Sequence, residues 1–214
     1  MPLPTFENLP EPKRARLMAA LKAEFAAHPY RQASVERITT AAGVSKGSFY
    51  QYFTDKEDAY RHLLAELMRD RLGLEGTPVP DASFEQVLTG MLLSSQEYQR
   101  RDPQGWAVLS RALADDAPPF LLQDESVLGG LHGWAVGAIA AGQASGELRD
   151  DVAPETAAWL VERVLLGLPQ HVTVRFQIDP AQAATDGSAF ARPEVAQVGH
   201  DAVALLVAAM ARHD

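Results

Sequence analysis

Apolar positions in this chain recur mostly three and four residues apart, the spacing of a helix face. Leu17, Leu21 and Phe25 form one stripe, opened by Asn8-Leu9-Pro10-Glu11: a capping residue, a proline tolerated in the first turn, and a glutamate three positions on. His28-Pro29 closes that helix, because proline disfavours the helical state of the residue before it. Ser34 is the expected N-cap of a second helix with a narrow inner face of Val35, Ile38 and Ala42. Gly43 ends it, since glycine accepts the left-handed backbone that a tight inter-helix turn requires. Val44 plugs the corner, Ser45 caps a third helix, and Phe49 and Phe53 point inward at i+4 spacing. Thr54-Asp55-Lys56-Glu57 is a capping-box pattern, from Thr54 or from Asp55. It starts a fourth helix carrying Tyr60, Leu63, Leu64, Leu67 and Met68, which ends near residues 73–76.

Beyond a Gly/Thr/Pro loop at 76–80, strand signals are scarce and helical periodicity returns. Ser83 begins a helix with Phe84, Val87, Leu88, Met91 and Leu92, and Asp102-Pro103 begins the next, with Trp106, Leu109 and Leu113. Pro118-Pro119 is expected to start a longer helix past Leu131, Trp134 and Ile139 to about Ser145. Pro154 opens a helix that Pro169 should kink or interrupt, because proline lacks an N–H and crowds the preceding turn. Residues 177–193 read as a polar, mobile loop, and Pro193-Glu194 starts a last helix through Val195, Val198, Ala202, Leu205 and Leu206. About nine helices result, and the fold class is all-α.

Charge divides this helical chain. The formal net charge is -9, but residues 1–72 hold 11 basic and 9 acidic side chains, a balance of +2, and all four lysines. Residues 73–214 hold 8 and 19, a balance of -11. The N-terminal part can approach phosphates and the acidic remainder stays away from them. With no cysteine, disulfides, thiolate catalysis and Cys-based metal sites are excluded. The first residues lack the basic and apolar regions of a signal peptide, and the near-apolar run 127–142, with His132 and five glycines, is short for a membrane span. A cytoplasmic protein without membrane contact is expected.

The chemistry-bearing stretch is the corner itself. In a helix-turn-helix the second helix enters the major groove by its N-terminal residues, here Ser45, Lys46, Gly47 and Ser48. Lys46 suits guanine O6/N7 or a phosphate, Gln51 suits an adenine edge, and Gly47 permits close approach. Tyr50 reaches toward a backbone phosphate, and Lys56 lies in the next helix's first turn, where exposed N–H groups also favour an anion. The plainer alternative is an ordinary helical corner with Lys46 and Gln51 merely solvated.

The run from Ala42 to Glu57, Ala-Gly-Val-Ser-Lys-Gly-Ser-Phe-Tyr-Gln-Tyr-Phe-Thr-Asp-Lys-Glu, resembles the TetR/AcrR transcriptional regulators. The resemblance covers about residues 8–72 and is specific there. It departs at His28-Pro29, where the family usually has glycine, and at Thr39, usually a small apolar residue. It implies an all-helical homodimer with a three-helix DNA-binding head, residues 1–54, and a ligand-binding and dimerisation body, residues 55–214. By motif position it marks Ser34, Thr40, Ser45, Lys46, Gly47, Ser48, Tyr50, Gln51 and Lys56 as DNA-touching. It also implies pairing through the last long helices, with Leu160, Val161, Val164, Gly167, Val198, Ala202, Leu205 and Ala209 as interface residues, so that two heads reach half-sites roughly 34–36 Å apart.

Ligand sites between bundle helices are mostly apolar with a few polar groups. Met91, Tyr98, Trp106, Phe120, His132, Trp134 and Phe176 are the candidate lining, although for any single one of them plain core is the readier reading. Gly129, Gly133 and Gly137, one helical stripe, each cost about 0.8–1.0 kcal/mol against Ala, which calls for close helix packing or room for a ligand. No H-x-x-x-H pair, Ser/His/Asp order, phosphate loop or paired carboxylates on one helix face supports a metal, a cofactor or an enzyme. The expected function is a repressor released from a palindromic operator by a small, largely apolar effector. The alternative is an architectural or partner-binding DNA-associated protein with no effector.

Overall fold

The computed structural model describes residues 2–72, 82–112, 118, 130–187 and 192–212, and its described part is helical apart from turns and one isolated bridge between Leu148 and Ala211. Its helices are α1 (Pro4–Glu7), α2 (Glu11–Ala27), α3 (Val35–Ala42), α4 (Lys46–Tyr52), α5 (Lys56–Leu72), α6 (Phe84–Arg101), α7 (Pro103–Arg111), α8 (Leu131–Ser145), α9 (Pro154–Arg175), α10 (Pro180–Asp186) and α11 (Pro193–Met210). The all-α expectation holds, with α1 and α10 added to the nine.

The start of α2 differs from expectation. Asn8 closes α1 rather than capping α2: its side-chain amide donates to the Pro4 carbonyl at 3.0 Å, and Pro10 is the residue before the first turn of α2. The head otherwise follows its capping signals. Ser34 Oγ accepts from Arg37 N and Ser45 Oγ from Ser48 N, while Gly43 sits at φ 66°. For α5 the structure chooses Asp55, whose carboxylate accepts from Asp58 N at 2.8 Å while Asp58 accepts from Thr54 N at 3.0 Å. Leu17, Leu21, Phe25, Ile38, Ala42, Phe49 and Phe53 are all buried.

In the body, Ser83 and Gln86 make a reciprocal capping box on α6, and Asp102 caps α7. The helix carrying Trp134 and Ile139 starts at Leu131, after Gly130 at φ 83°, a left-handed conformation that separates it from what precedes; the start expected at Pro118-Pro119 runs into residues outside the described ones. A Cβ added to Gly133 or Gly137 would meet nothing within 4 Å, so neither marks a close packing contact within the subunit. Gly129 and Phe120 lie outside the described residues. The close approaches are at Gly105, whose Cβ would collide with the Tyr98 hydroxyl, at Gly142, where it would sit 2.7 Å from Leu148 Cδ1, and at Gly199, 2.6 Å from Leu92 Cδ1.

Pro169 does not interrupt its helix: α9 runs from Pro154 through it to Arg175. The segment read as a mobile loop contains α10, capped by Asp179 and led by Pro180, and it packs Ala183 and Ala184 onto the core. Buried residues form two clusters. One runs without a break from the head into the body, from Phe6 and Phe49 to Trp106, Leu131 and Leu166; the other holds Phe84, Leu88, Leu92, Ile139, Val161 and Leu206.

Candidate nucleic-acid interface and effector site

The face of α4 is held from behind by aromatic packing. The Phe49 and Phe53 ring centroids are 5.4 Å apart, and Phe6 of α1 lies 5.0 Å from Phe53. Leu3 N donates to the Tyr52 carbonyl at 2.8 Å, and Thr5 Oγ1 donates to the Gln51 carbonyl, so the N-terminal arm seals the end of α4. With its inner side fixed, α4 presents Lys46, Gly47, Tyr50 and Gln51 outward, flanked by Thr40 and Ser45. Ser48 is half-buried and shares a 2.8 Å hydrogen bond with the Ser45 hydroxyl, and Tyr50 is 46% exposed.

Two expected DNA contacts are engaged within the head. Ser34 Oγ caps α3, and its backbone N donates to Glu24 Oε1 at 2.8 Å. Lys56 Nζ donates to the carbonyls of Tyr30 and Ala33 at 2.8 and 3.0 Å and lies 4.5 Å from the Tyr30 ring centroid. Burial lowers the Lys56 pKa, partly opposed by the Glu24 charge. An ammonium has three donors, so two are spent. Lys56 therefore fastens the α2–α3 connection as well as lying near the expected DNA side.

Sequence spacing gave no sign of the ion pair beneath this surface. Glu24, buried, accepts from Arg37 Nε at 3.0 Å and from Arg37 Nη2 at 2.5 Å. Desolvation pushes the Glu24 carboxyl up, but the Arg37 and Ser34 hydrogen bonds and the Arg37 charge outweigh it and hold it below the ordinary value. Also missed is the link between head and body: Lys22 Nζ of α2 donates to Asp102 Oδ2 at 2.8 Å, and Arg111 Nη1 donates to the Ala26 carbonyl at 2.9 Å. Partners 80 and 85 residues apart leave no local pattern to read.

The expected effector-lining residues are not gathered in one place. Tyr98 and Trp106 are buried in the cluster that runs from the head into the body, with Met91 half-buried against it. Trp134 touches both clusters and borders a small cavity of about 10 Å³, shared with Phe84, Leu88, Ile139 and Val161. That is room for about one water. His132 lies toward the surface, its Nδ1 2.8 Å from Oε1 of the buried Glu162. Phe176 stands apart at the end of α9, beneath the guanidinium groups of Arg175 and Arg192 at 5.5 and 5.2 Å. Among the described residues no cluster of three His, Asp or Glu side chains is placed to hold a metal ion, and no helix is long and apolar enough to cross a membrane.

The expected dimer residues also divide. Leu160 on α9 and Leu205 on α11 are exposed, at 39% and 71%, and Ala209, one turn beyond Leu205, is exposed as well. Val164, Gly167, Val198 and Ala202 are half-buried. Val161 is 3% exposed and lines the internal cavity, so it belongs to the subunit's own core. Trp159 on α9, 54% exposed, is among the exposed large apolar side chains that the expected set omitted, as are Leu93 and Val174.

Three likenesses bear on this arrangement. Residues 17–63 match the model of the bacterial regulatory proteins of the tetR family. The chain is 29% identical over 89 residues to the HTH-type transcriptional repressor AcnR of Corynebacterium glutamicum, a match covering 42% of this chain and 45% of that protein, so it spans about half the length of the curated relative. Among solved structures it resembles a TetR family transcriptional regulator from Chloroflexus aurantiacus, 32% identical with both chains fully covered and a TM-score of 0.68. FadR of Bacillus subtilis, solved in complex with stearoyl-CoA, shares the fold at a TM-score of 0.71 and 19% identity, over 92% of this chain and 98% of that one. Full-length likeness to the Chloroflexus regulator, with the family match centred on α2 to α5, settles the assignment: the chain belongs to the TetR family of bacterial regulatory proteins.

Proposed function

We propose that this protein is a DNA-binding transcriptional regulator, acting as a homodimer on a palindromic operator and released from it by a small-molecule effector bound in the body. The observation that carries the reading is the outward face of α4, where Lys46, Gly47, Tyr50 and Gln51 stand exposed on a helix fixed by buried Phe49 and Phe53. Lys46 and Gln51 read base edges, Thr40, Ser45, Ser48 and Tyr50 take backbone contacts, and Ser34 and Lys56 hold the head in shape and offer what donors remain to the phosphates. Residues 1–54 serve as the head and 55–214 as the body. The exposed Trp159, Leu160 and Leu205 on α9 and α11 support pairing through those helices. A cytoplasmic location goes with access to DNA.

Release follows from linkage: an effector that binds more tightly to the DNA-free arrangement is itself bound more weakly by the DNA-bound dimer, by the same factor. The Lys22–Asp102 and Arg111–Ala26 bonds tie α2 of the head to α7, so a shift of α7 is felt by the head. The test is titration of the dimer against its own upstream DNA at fixed salt, with random duplex as competitor. A saturable complex that resists competitor and weakens with salt is expected. Equal affinity for both duplexes would overturn the reading and favour an architectural DNA-associated protein.

A further inference from the structure

Between its two apolar clusters the body carries a polar band that packing does not account for. On α6, Ser95, Tyr98 and Gln99 follow i, i+3, i+4 spacing and share one face, and Asp102 follows directly as the residue between α6 and α7. From α5, Arg71 reaches this face: its Nη2 donates to Ser95 Oγ at 3.3 Å. Gln99 is 1% exposed, and among the described residues neither its Nε2 nor its Oε1 has a hydrogen-bond partner; the buried Tyr98 hydroxyl has none there either. A buried polar group left unpaired costs about 1–3 kcal/mol, and native interiors keep few of them. Two on neighbouring residues of one helix represent stability given up at a place where function gains from it.

The charge of the band points to the ligand's chemistry. Among the described residues, the acids near Arg71 are engaged elsewhere. Asp70 pairs with Arg101 at 2.9 Å, and Asp102 accepts from Lys22 at 2.8 Å and from Gly105 N at 3.0 Å. The Arg71 guanidinium keeps donors beyond the one given to Ser95, in the fork geometry that matches a carboxylate. The Gln99 amide adds one donor and one acceptor, and the acceptor calls for a donor on the ligand. One turn toward the N-terminus of α6, Leu92 and Leu88 continue into the apolar cluster that contains Ile139 and touches Trp134.

We propose that the body binds an organic acid carrying a hydroxyl beside its carboxylate and an apolar remainder. Arg71 and the Gln99 Nε2 hold the carboxylate, the Gln99 Oε1 accepts from the hydroxyl, and Tyr98 donates to a carboxylate oxygen. This rests on the effector-controlled regulator proposed above and replaces its largely apolar effector with an acidic one. Asp102, the residue that follows α6 and caps α7, holds Lys22 of the head, so the link the ligand would disturb comes three residues after Gln99 in the chain.

The experiment is a tryptophan-fluorescence titration of the full-length protein with 2-hydroxyoctanoate and with mandelate, each beside its primary amide, followed by operator release with the same compounds. At least one acid is expected to bind about tenfold or more tightly than its amide, the worth of one charge-assisted hydrogen bond. Arg71→Gln should erase that preference. Gln99→Met should raise the melting temperature of the free protein while weakening the acid, a pairing that a purely structural glutamine would not give. Should Arg71→Gln not fold, Tyr98→Phe carries the same expectation as Gln99→Met. No binding by either acid, equal binding of acid and amide, or acid binding indifferent to Gln99→Met and Tyr98→Phe overturns the proposal. Acid binding with this variant dependence but without operator release supports the site and defeats the effector reading. Operator release by compounds that ignore Arg71 and Gln99 does the reverse.

Discussion

In the head, the buried Glu24 carboxylate is met by Ser34 N and two nitrogens of Arg37, the Thr39 hydroxyl donates to the Glu36 carbonyl at 3.0 Å, and the carbonyls of Tyr30 and Ala33 accept from Lys56 at the start of the body. In the body, the buried Gln99 amide and Tyr98 hydroxyl have no hydrogen-bond partner among the described residues. On the proposed reading the contrast separates two physical jobs. A head that reads DNA presents Lys46 and Gln51 at fixed spacing, which paired polar groups and stacked aromatics provide. A body that responds to a ligand gains interactions when it arrives, which unpaired groups provide.

Breaking the head's packing gives the largest expected effect. Phe49→Ala removes a fully buried ring from beneath α4 and should cost about 3–5 kcal/mol, read by denaturant melting, with operator binding lost alongside. The body's part is tested by Leu160→Glu combined with Leu205→Glu. That variant should sediment as a monomer with its helical signal intact, and operator affinity should fall about 100-fold or more as two linked heads become independent. Ser45→Ala removes the cap of α4 and should cost about 1 kcal/mol, with a matching loss of operator affinity as the first turn frays. Smallest and most gradual is a pH effect confined to the head. Since Glu24 titrates below its ordinary 4.5, its contribution is present above that pH and is lost as pH falls through the lower folded-state value. Glu24→Gln should flatten the acid limb of a stability-against-pH curve, and an unchanged limb would show that the carboxylate is not held as described.

The head was legible because its information is local. Ser34, Ser45 and Asp55 cap within three residues of themselves, Gly43 marks its own turn, and Phe49 with Phe53 follows helical spacing. Asn8 misled for a local reason as well: the short turn Pro4–Glu7 claims it first. In the body the informative partners lie far apart in sequence. Lys22 finds Asp102, His132 finds Glu162, and Arg71 finds Ser95 only after the helices pack. Periodicity marked Val161 as apolar without saying whether it faces the interior or a second subunit, and the fold turns it inward while leaving Trp159 and Leu160 outside. The helix Pro180–Asp186 was hidden by an Ala- and Asp-rich composition that reads as loop, although Asp179-Pro180 is a legitimate helix start.

The central claim is that the exposed face of α4 reads DNA while the residues behind it hold it in place. It is tested most directly by measuring operator affinity across a salt series for the wild-type dimer and for Lys46→Ala. Lys46 is exposed and takes no part in the buried packing of the head, so the variant should keep the wild-type melting curve. Its affinity should fall either by about 1–3 kcal/mol at one operator position or uniformly with a salt slope lower by about one per subunit. An unchanged affinity and slope, with the fold intact, would contradict the account.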